Sequence, residues 1–320
     1  MRGEPAASLA GWPFAASPFH AGEQAVQARA GSRQRMEEVG RHVMRTAMPQ
    51  QHRDFFPLLS FVAVAAVDGT GQPQASLLAG AGPGFVHALD GTHLRIDALP
   101  QAGDPLAPGL QPGAALGLLG IELQTRRRNR VNGTVVQRDE HGFTLQVQQS
   151  FGNCPKYIQR REALPDAAPG ASMPAQRAAR LDAAATALVG AADTFFIATH
   201  AAGDAPNAGS DVSHRGGRPG FVRVQGGGSA LVWPDFAGNR FFNTLGNIAA
   251  EPRTGLVFPD FANGDLLHVA GRAEIVWDGP ELAATPGAER LLRLHVDAVT
   301  VRPAALPLRW RLVEPSPALP

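Results

Sequence analysis

The run Gly238-Asn239-Arg240-Phe241-Phe242-Asn243-Thr244 sits between two apolar stretches, Ala230 to Trp233 and Gly255 to Phe258. A polar loop opening a short amphipathic segment presents free backbone N–H groups, and an arginine beside them adds positive charge. That combination binds anions, phosphate above all. Asn239, Arg240 and Asn243 are the side chains placed to take part. Asn-Arg is equally good turn and cap chemistry, so the neighbouring residues matter. Upstream, Ser213-His214-Arg215-Gly216-Gly217 offers a hydroxyl, an imidazole and a guanidinium in a glycine-rich stretch. Ser213 and Arg215 are candidates for ligand contact and His214 for proton donation. An exposed loop with no role is the competing reading.

Other chemistries find less support. Arg126-Arg127-Arg128-Asn129-Arg130 has the charge for nucleic acid, but no aromatic residues are interleaved for stacking, and the net charge is only +1. These arginines read instead as a solvated hairpin, or as cations crossing to an anion site elsewhere in the chain. The one cysteine, Cys154, excludes an internal disulfide or a multi-cysteine metal site and reads as a packed structural residue. None of the ten histidines falls in a His-Glu-x-x-His or other zinc spacing. Gly226-Gly227-Gly228 belongs to a hairpin turn rather than to a strand-to-helix phosphate loop.

The elements that must position these residues follow from periodicity. A hydrophobic content of 44% with 18% charge describes an ordinary globular chain, and 320 residues favour two domains. No apolar run is long enough to span a bilayer and no leader is recognisable, so neither a membrane nor a nucleic-acid partner is expected and the cytoplasm is the default location. Residues 1–20 read as an irregular arm. Gly22 to Ala47 reads as a helix, with Met36, Val39, Val43 and Ala47 on one face. Phe61 to Val67 and Pro73 to Leu78 flank Asp68-Gly-Thr-Gly71 as a hairpin. Further strands are expected at Phe85–Ala88, Leu94–Ile96, Ala115–Glu122, Arg130–Gln137 and Phe143–Gln148. An Ala- and Pro-rich linker, Ala163 to Ala175, precedes a second helix, Ala175 to Val189, started by Ser172 or Met173-Pro174.

The strand pattern then begins again. Phe61-Val-Ala-Val64 corresponds to Phe195-Phe-Ile-Ala198, which aligns Phe61 with Phe195 and Val64 with Ala198. Gly84-Phe-Val86 recurs as Gly220-Phe-Val222, and Leu94 to Asp97 answers Leu231 to Pro234. Gly117 to Gly120 answers Gly255 to Phe258, and Val131-Asn-Gly133 answers Val269-Ala-Gly271. Blocks in one order with slowly drifting offsets mean a duplicated helix-plus-barrel unit. The domains are expected at 1–50 (arm and helix), 51–165 (first barrel, degenerate) and 166–320 (second barrel, with the site).

In Arg218-Pro-Gly-Phe-Val-Arg223, Leu231-Val-Trp-Pro-Asp235, Gly238-Asn-Arg240, Glu251-Pro-Arg-Thr-Gly-Leu-Val-Phe258 and Val269-Ala-Gly271, the second copy resembles the pyridoxamine 5′-phosphate oxidase-like split-barrel flavoproteins. Ser150-Phe-Gly-Asn-Cys-Pro-Lys-Tyr157 resembles a segment of longer members of that superfamily. The resemblance implies a mainly β fold with flanking helices (α+β), as two tandem FMN-binding split barrels forming an intrachain pseudo-dimer. It implies FMN between the barrels. Asn239 and Arg240 would hold its phosphate, helped by Arg215 or Arg223. Arg218, Phe221, Val222 and Arg223 would line the ribityl chain and ring, and Trp233-Pro234 would sit where the family has Tyr-Thr.

The departures point away from vitamin B6 oxidation. The loop carries one cation where the family has two, Leu266 replaces a flavin-contacting glutamine, and no arginine cluster matches the family's pyridoxal-phosphate grip. Gly103-Asp104-Pro105 stands where the second copy has Gly238-Asn239-Arg240, so one competent site is expected. The resulting expectation is an FMN oxidoreductase acting on an unidentified small molecule. Because no reductase module is present, a separate flavin reductase or electron donor is the implied partner. The chain would be a pseudo-dimeric monomer or a homodimer. Its alternatives are a non-catalytic flavin-binding, sensing or scaffold protein, and a deazaflavin or haem ligand in the same barrel.

Overall fold

The computed structural model describes residues 11–164, 173–203 and 205–320. Helices α1 (Ala21–Arg29), α2 (Arg33–Val43) and α3 (Gln50–Phe55) lead into the first barrel. Its strands are β1 (Val62–Val67), β2 (Pro73–Leu78), β3 (Val86–Ala88), β4 (His93–Ile96), β5 (Ala115–Glu122), β6 (Arg127–Arg138) and β7 (Phe143–Gly152). β8 (Arg160–Ala163), β9 (Gln176–Ala178) and helix α4 (Ala183–Ala191) connect it to the second. There follow β10 (Thr194–Ala201), β11 (Gly209–Gly216), β12 (Arg223–Gln225), β13 (Ala230–Phe236), helix α5 (Asn243–Ala250), β14 (Arg253–Pro259) and β15 (Leu266–Val276). A one-turn helix α6 (Pro280–Ala283) precedes β16 (Ala288–Arg302), and β17 (Trp310–Glu314) pairs back onto β8.

The duplication is visible in the hydrogen bonding. The first sheet runs β2-β1-β5-β6-β7-β4-β3 and the second β11-β10-β14-β15-β16-β13-β12, which is the same order with every label raised by nine. Both copies carry a bulge at the same place, after Asn132 in one and after Ala270 in the other. The glycines there lie against the neighbouring strand: a Cβ on Gly133 would sit 1.9 Å from Gln146 O, and one on Gly271 2.0 Å from His295 O.

Strand alternation divides each barrel's side chains between two cores. Val62, Val64 and Ala66 face inward with Phe143 and Leu145, while Phe195, Ile197 and Trp233 fill the second barrel. The opposite faces meet between the barrels, where Phe61, Ala63 and Ala65 join Phe196, Ala198, Val212 and Val257. Ala65 pairs with Gly117 and Ala198 with Gly255, so the counterpart of Ala198 is Ala65 and not the Val64 expected from the sequence. That alignment was a single position out. It would have put Val64, inside its barrel, in the place of Ala198 at the seam.

Three expectations need correction. The helix from Gly22 to Ala47 is broken after Arg29, because Gly31 turns left-handed (φ +66°) and α2 restarts after Ser32. The second helix starts at Ala183, where the Asp182 side chain caps the Ala185 amide at 2.8 Å; Gln176–Ala178 is instead consumed as an edge strand against β16. Arg218 to Arg223, which the resemblance would line up along the ligand, is the turn that leads into β12, since Gly220 has φ +87° and Phe221 folds its ring onto Gly217. The linker expected at Ala163 to Ala175 falls largely at 165–172, outside the described residues, as do Ser172 as the helix start and residues 1–10 of the expected arm.

Candidate functional site

A cleft of about 850 Å³, counting its open mouth, lies at the seam between the barrels. The second barrel supplies β11, the end of β13, the loop after it and the start of α5. The first barrel supplies Arg128 and Arg130 on β6 and the crossing segment Asn153–Tyr157.

The loop is the most constrained piece of backbone. Arg240 and Phe242 both adopt left-handed φ, +62° and +61°, and Tyr157 across the cleft has +68°. Such conformations cost non-glycine residues roughly 1–3 kcal/mol each and persist only when the surroundings impose them. Asn239 Oδ1 accepts the Phe241 amide at 3.1 Å. Phe242 occupies the N-cap of α5, no side chain caps that end, and residues 242–245 line the cleft, so the positive end of the helix dipole is left without a side-chain cap there. Tyr157 closes over the loop: its hydroxyl donates to Ala237 O at 2.9 Å and its ring packs on Phe236 at 5.4 Å.

Deeper in, the charge balance is uneven. Arg130 is neutralised by Asp211 at 3.0 Å and donates to Ser213 Oγ at 2.5 Å and to Asn243 Oδ1 at 2.9 Å. Arg128 and Arg215, by contrast, have no carboxylate within ion-pair distance among the described residues. Arg128 spends its Nε on Cys154 O (2.7 Å), and burial together with Arg130 pushes its pKa down to about 9. Burial lowers Arg215 as well, and its Nε has no partner. His214 is 4% exposed, and burial, reinforced by Arg128 and Arg215, holds its imidazole well below the usual range. Arg128 Nη1 donates to His214 Nδ1 at 3.3 Å, which leaves the ring proton on Nε2, an atom without a partner. At neutral pH His214 is therefore a neutral hydrogen-bond donor, not the proton-donating imidazolium considered from sequence. Two under-paired guanidiniums in a partly desolvated cleft favour an anionic ligand.

Of the residues singled out from sequence, Ser213, Arg215, Phe221 and Pro234 line the cleft together with Asn239, Arg240 and Asn243. The other four do not. Arg218 is exposed on the turn, Arg223 pairs with Glu281 at 3.0 Å, and Val222 and Trp233 are buried inside the second barrel. Instead β11, one element earlier, faces the cleft, and on β13 Pro234 and not the neighbouring Trp233 reaches it. The first barrel's contribution was legible only as an arginine run whose destination was open. Arg128 and Arg130 cross to the second barrel, while Arg126 pairs with Glu314 (3.1 Å) and Arg127 lies over Phe55. Cys154 is half-buried on the cleft wall rather than packed in a core.

Residues 181–310 match the family model described as pyridoxamine 5′-phosphate oxidase. The second barrel is similar to that family over the matched stretch. The matched stretch runs from before α4 to the start of β17 and contains every second-barrel wall of the cleft. Comparison with curated proteins finds no match. Among solved structures, HupZ of Group A Streptococcus is similar at 14% identity over 37% of this chain and 90% of its own, with TM-score 0.29. An FAD-binding protein from Mesorhizobium loti gives 15%, 41% and 99%, with TM-score 0.27. General Stress Protein 26 from Bacillus anthracis gives 13%, 40% and 95%, with TM-score 0.27. At such scores these likenesses decide nothing about the ligand. Among the described residues no helix is long and apolar enough to cross a membrane, and no cluster of three metal-ligating side chains occurs.

Proposed function

We propose that this chain is an FMN-dependent oxidoreductase with one cofactor cleft, acting on a small molecule other than vitamin B6. One observation carries the reading: Arg128, Arg215 and Arg240 line one cleft with the uncapped start of α5; Arg240 pairs with Glu289 at 3.3 Å, while among the described residues the two inner cations have no carboxylate within ion-pair distance. The residues fit the group. Asn239, Arg240, Asn243 and the first amides of α5 would hold the terminal phosphate. Ser213, Arg215, Phe221 and Pro234 would flank the ribityl chain and ring, with Tyr157 closing the mouth. Bound flavin supplies the hydride-accepting chemistry. The chain's part is to bind, to orient, and to place cations near the ring, which favours its reduced, more negative form.

The first half supports a single site. Asp104, 5% exposed, accepts from Ser76 Oγ at 2.5 Å, from the Leu106 amide at 2.9 Å and from Arg302 at 2.6 Å. Its carboxylate caps its own short turn and pairs with an arginine of the other half, so the stretch that corresponds to Gly238-Asn239-Arg240 offers a negative charge where a phosphate needs a cation. In this reading 51–165 is the half without a site and 166–320 the half that keeps one, with a separate reductase as electron donor.

Purified chain tests it: absorbance near ~450 nm, with FMN released on denaturation, is expected for bound flavin. Colourless protein that takes up no FMN refutes the reading, and a deazaflavin or haem spectrum replaces the cofactor. A second reading, a non-catalytic flavin carrier, is favoured by the neutral, buried state of His214, the sole imidazole on the cleft wall among the described residues. Anaerobic reduction by NADH or NADPH favours the enzyme; no reduction, and no activity on a substrate panel, favours the carrier.

A further inference from the structure

Helix α1 tracks the anion-binding loop residue by residue. Gln27, fully buried, donates its amide to Phe241 O at 3.1 Å. The Glu23 carboxyl, 3% exposed, accepts Asn243 Nδ2, and also the His20 amide at 2.8 Å. A Cβ on Gly22 would lie 2.3 Å from Gly246 O, and one on Gly246 2.5 Å from Glu23 N, so the two helices touch backbone to backbone. His20 Nε2 meets Asn247 Oδ1 at 2.7 Å, and the Phe19 ring stands edge-on to Phe241 at 5.5 Å. Along α1 and the two residues before it, these contacts take hold of 241, 243, 246 and 247.

That stretch is the one that needs holding. Arg240 and Phe242 are left-handed without being glycine, and α5 begins without a side-chain cap. Left alone, such a loop relaxes and its amides scatter, and a ligand would have to reorder them on binding. Asn243 shows how the grip is transmitted. Its Nδ2 is fixed by Glu23 and its Oδ1 by Arg130, so helix α1 and the first barrel together set the orientation of one cleft side chain.

We propose that α1 is a clamp that pre-organises the anion-binding loop, with Glu23 and Gln27 as positioning residues for the bound anion; that this anion is the FMN phosphate rests on the function proposed above. Neither residue lines the cleft, so both act through Asn243 and Phe241. The clamp bears on the phosphate end of the ligand, and a ligand without a phosphate should not sense it.

The test compares FMN with riboflavin, its phosphate-free counterpart, on the full chain. Glu23→Ala and Gln27→Ala are each expected to weaken FMN about five- to tenfold, as the loss of one buried hydrogen bond implies, and riboflavin by less than about twofold. Equal losses for both flavins, or no loss for either in folded variants, overturn the clamp. Gln27→Ala keeps the test alive if Glu23→Ala fails to fold. Amide exchange in the flavin-free chain is read alongside. Faster exchange at Phe241 to Gly246 in the variants, with β14 and β15 unchanged, supports the clamp, and unchanged exchange there overturns it. If the wild type binds neither flavin, the flavin reading falls while exchange still decides the clamp.

Discussion

The Arg130 guanidinium on β6 of the first barrel lies 3.0 Å from the Asp211 carboxylate on β11 of the second, each side chain 4% exposed. This is a buried ion pair across the seam. Removing one partner strands the other, which typically costs about 3–5 kcal/mol. Arg130→Met is expected to lower unfolding stability by that order in urea titrations and to loosen Ser213 and Asn243, both of which Arg130 holds. A loss under about 1 kcal/mol would show that the pair is not intact in solution.

Arg240 and Asp104 should separate binding from folding. Arg240→Gly keeps the left-handed backbone (φ +62°) and deletes the cation, so FMN affinity should fall by about 1.5–3 kcal/mol with little change in stability. Asp104→Ala should do the reverse, since it strands the second half's Arg302 (2.6 Å) without its carboxylate while leaving FMN affinity of the folded fraction unchanged. Calorimetric titration of both variants checks this. Equal affinity losses would refute the single-site arrangement.

Glu23 gives the stability a pH dependence of unusual sign. Burial outweighs the hydrogen bonds from His20 and Asn243 and pushes its pKa up to about 8. Between its unfolded value of 4.5 and about 8 the folded chain binds the extra proton, so this group's contribution falls as pH rises through that window and is flat above it. Buried histidines act oppositely. His52, lowered to about 4 by burial and Arg45, and His214 cost stability as pH falls below 6.5. The difference between wild type and Glu23→Gln isolates the first effect. The wild type should lose ground on the variant by up to about 1.4 kcal/mol per pH unit between pH 5 and 8. A flat difference curve would show that Glu23 is not buried in solution.

Gly255 and Gly117 report on the seam. A Cβ on Gly255 would lie 2.3 Å from Pro73 O of the first barrel, and one on Gly117 2.8 Å from Asp211 Cα of the second. Two related strands meet the opposite barrel at related glycines. Gly255→Val is expected to destabilise by about 1–3 kcal/mol or more through overpacking. A neutral effect on thermal unfolding would mean that the barrels pack less closely than described.

The sequence by itself determined the duplicated β architecture, because turns and alternation are local and the same blocks recur in one order. β5 at Ala115–Glu122 and the triple-glycine turn after β12 were legible for that reason. So was the grouping of Asn239, Arg240 and Asn243 on one cleft wall, since they are neighbours along the chain. Register and partnership were not. Nothing local says that Ala198 answers Ala65 rather than Val64; the faces are sorted only when one packs inside a barrel and the other against its twin. Nor could the chain alone show which strand faces the cleft. The family resemblance put Arg218 to Arg223 there, yet a glycine turn removed it and β11 took the place. The cations from the first barrel, and the helix near the start of the chain that grips a loop of the second barrel, arrive through packing. Tertiary structure decided them because a site between two barrels is built from residues whose proximity exists only once both barrels have closed on the same seam.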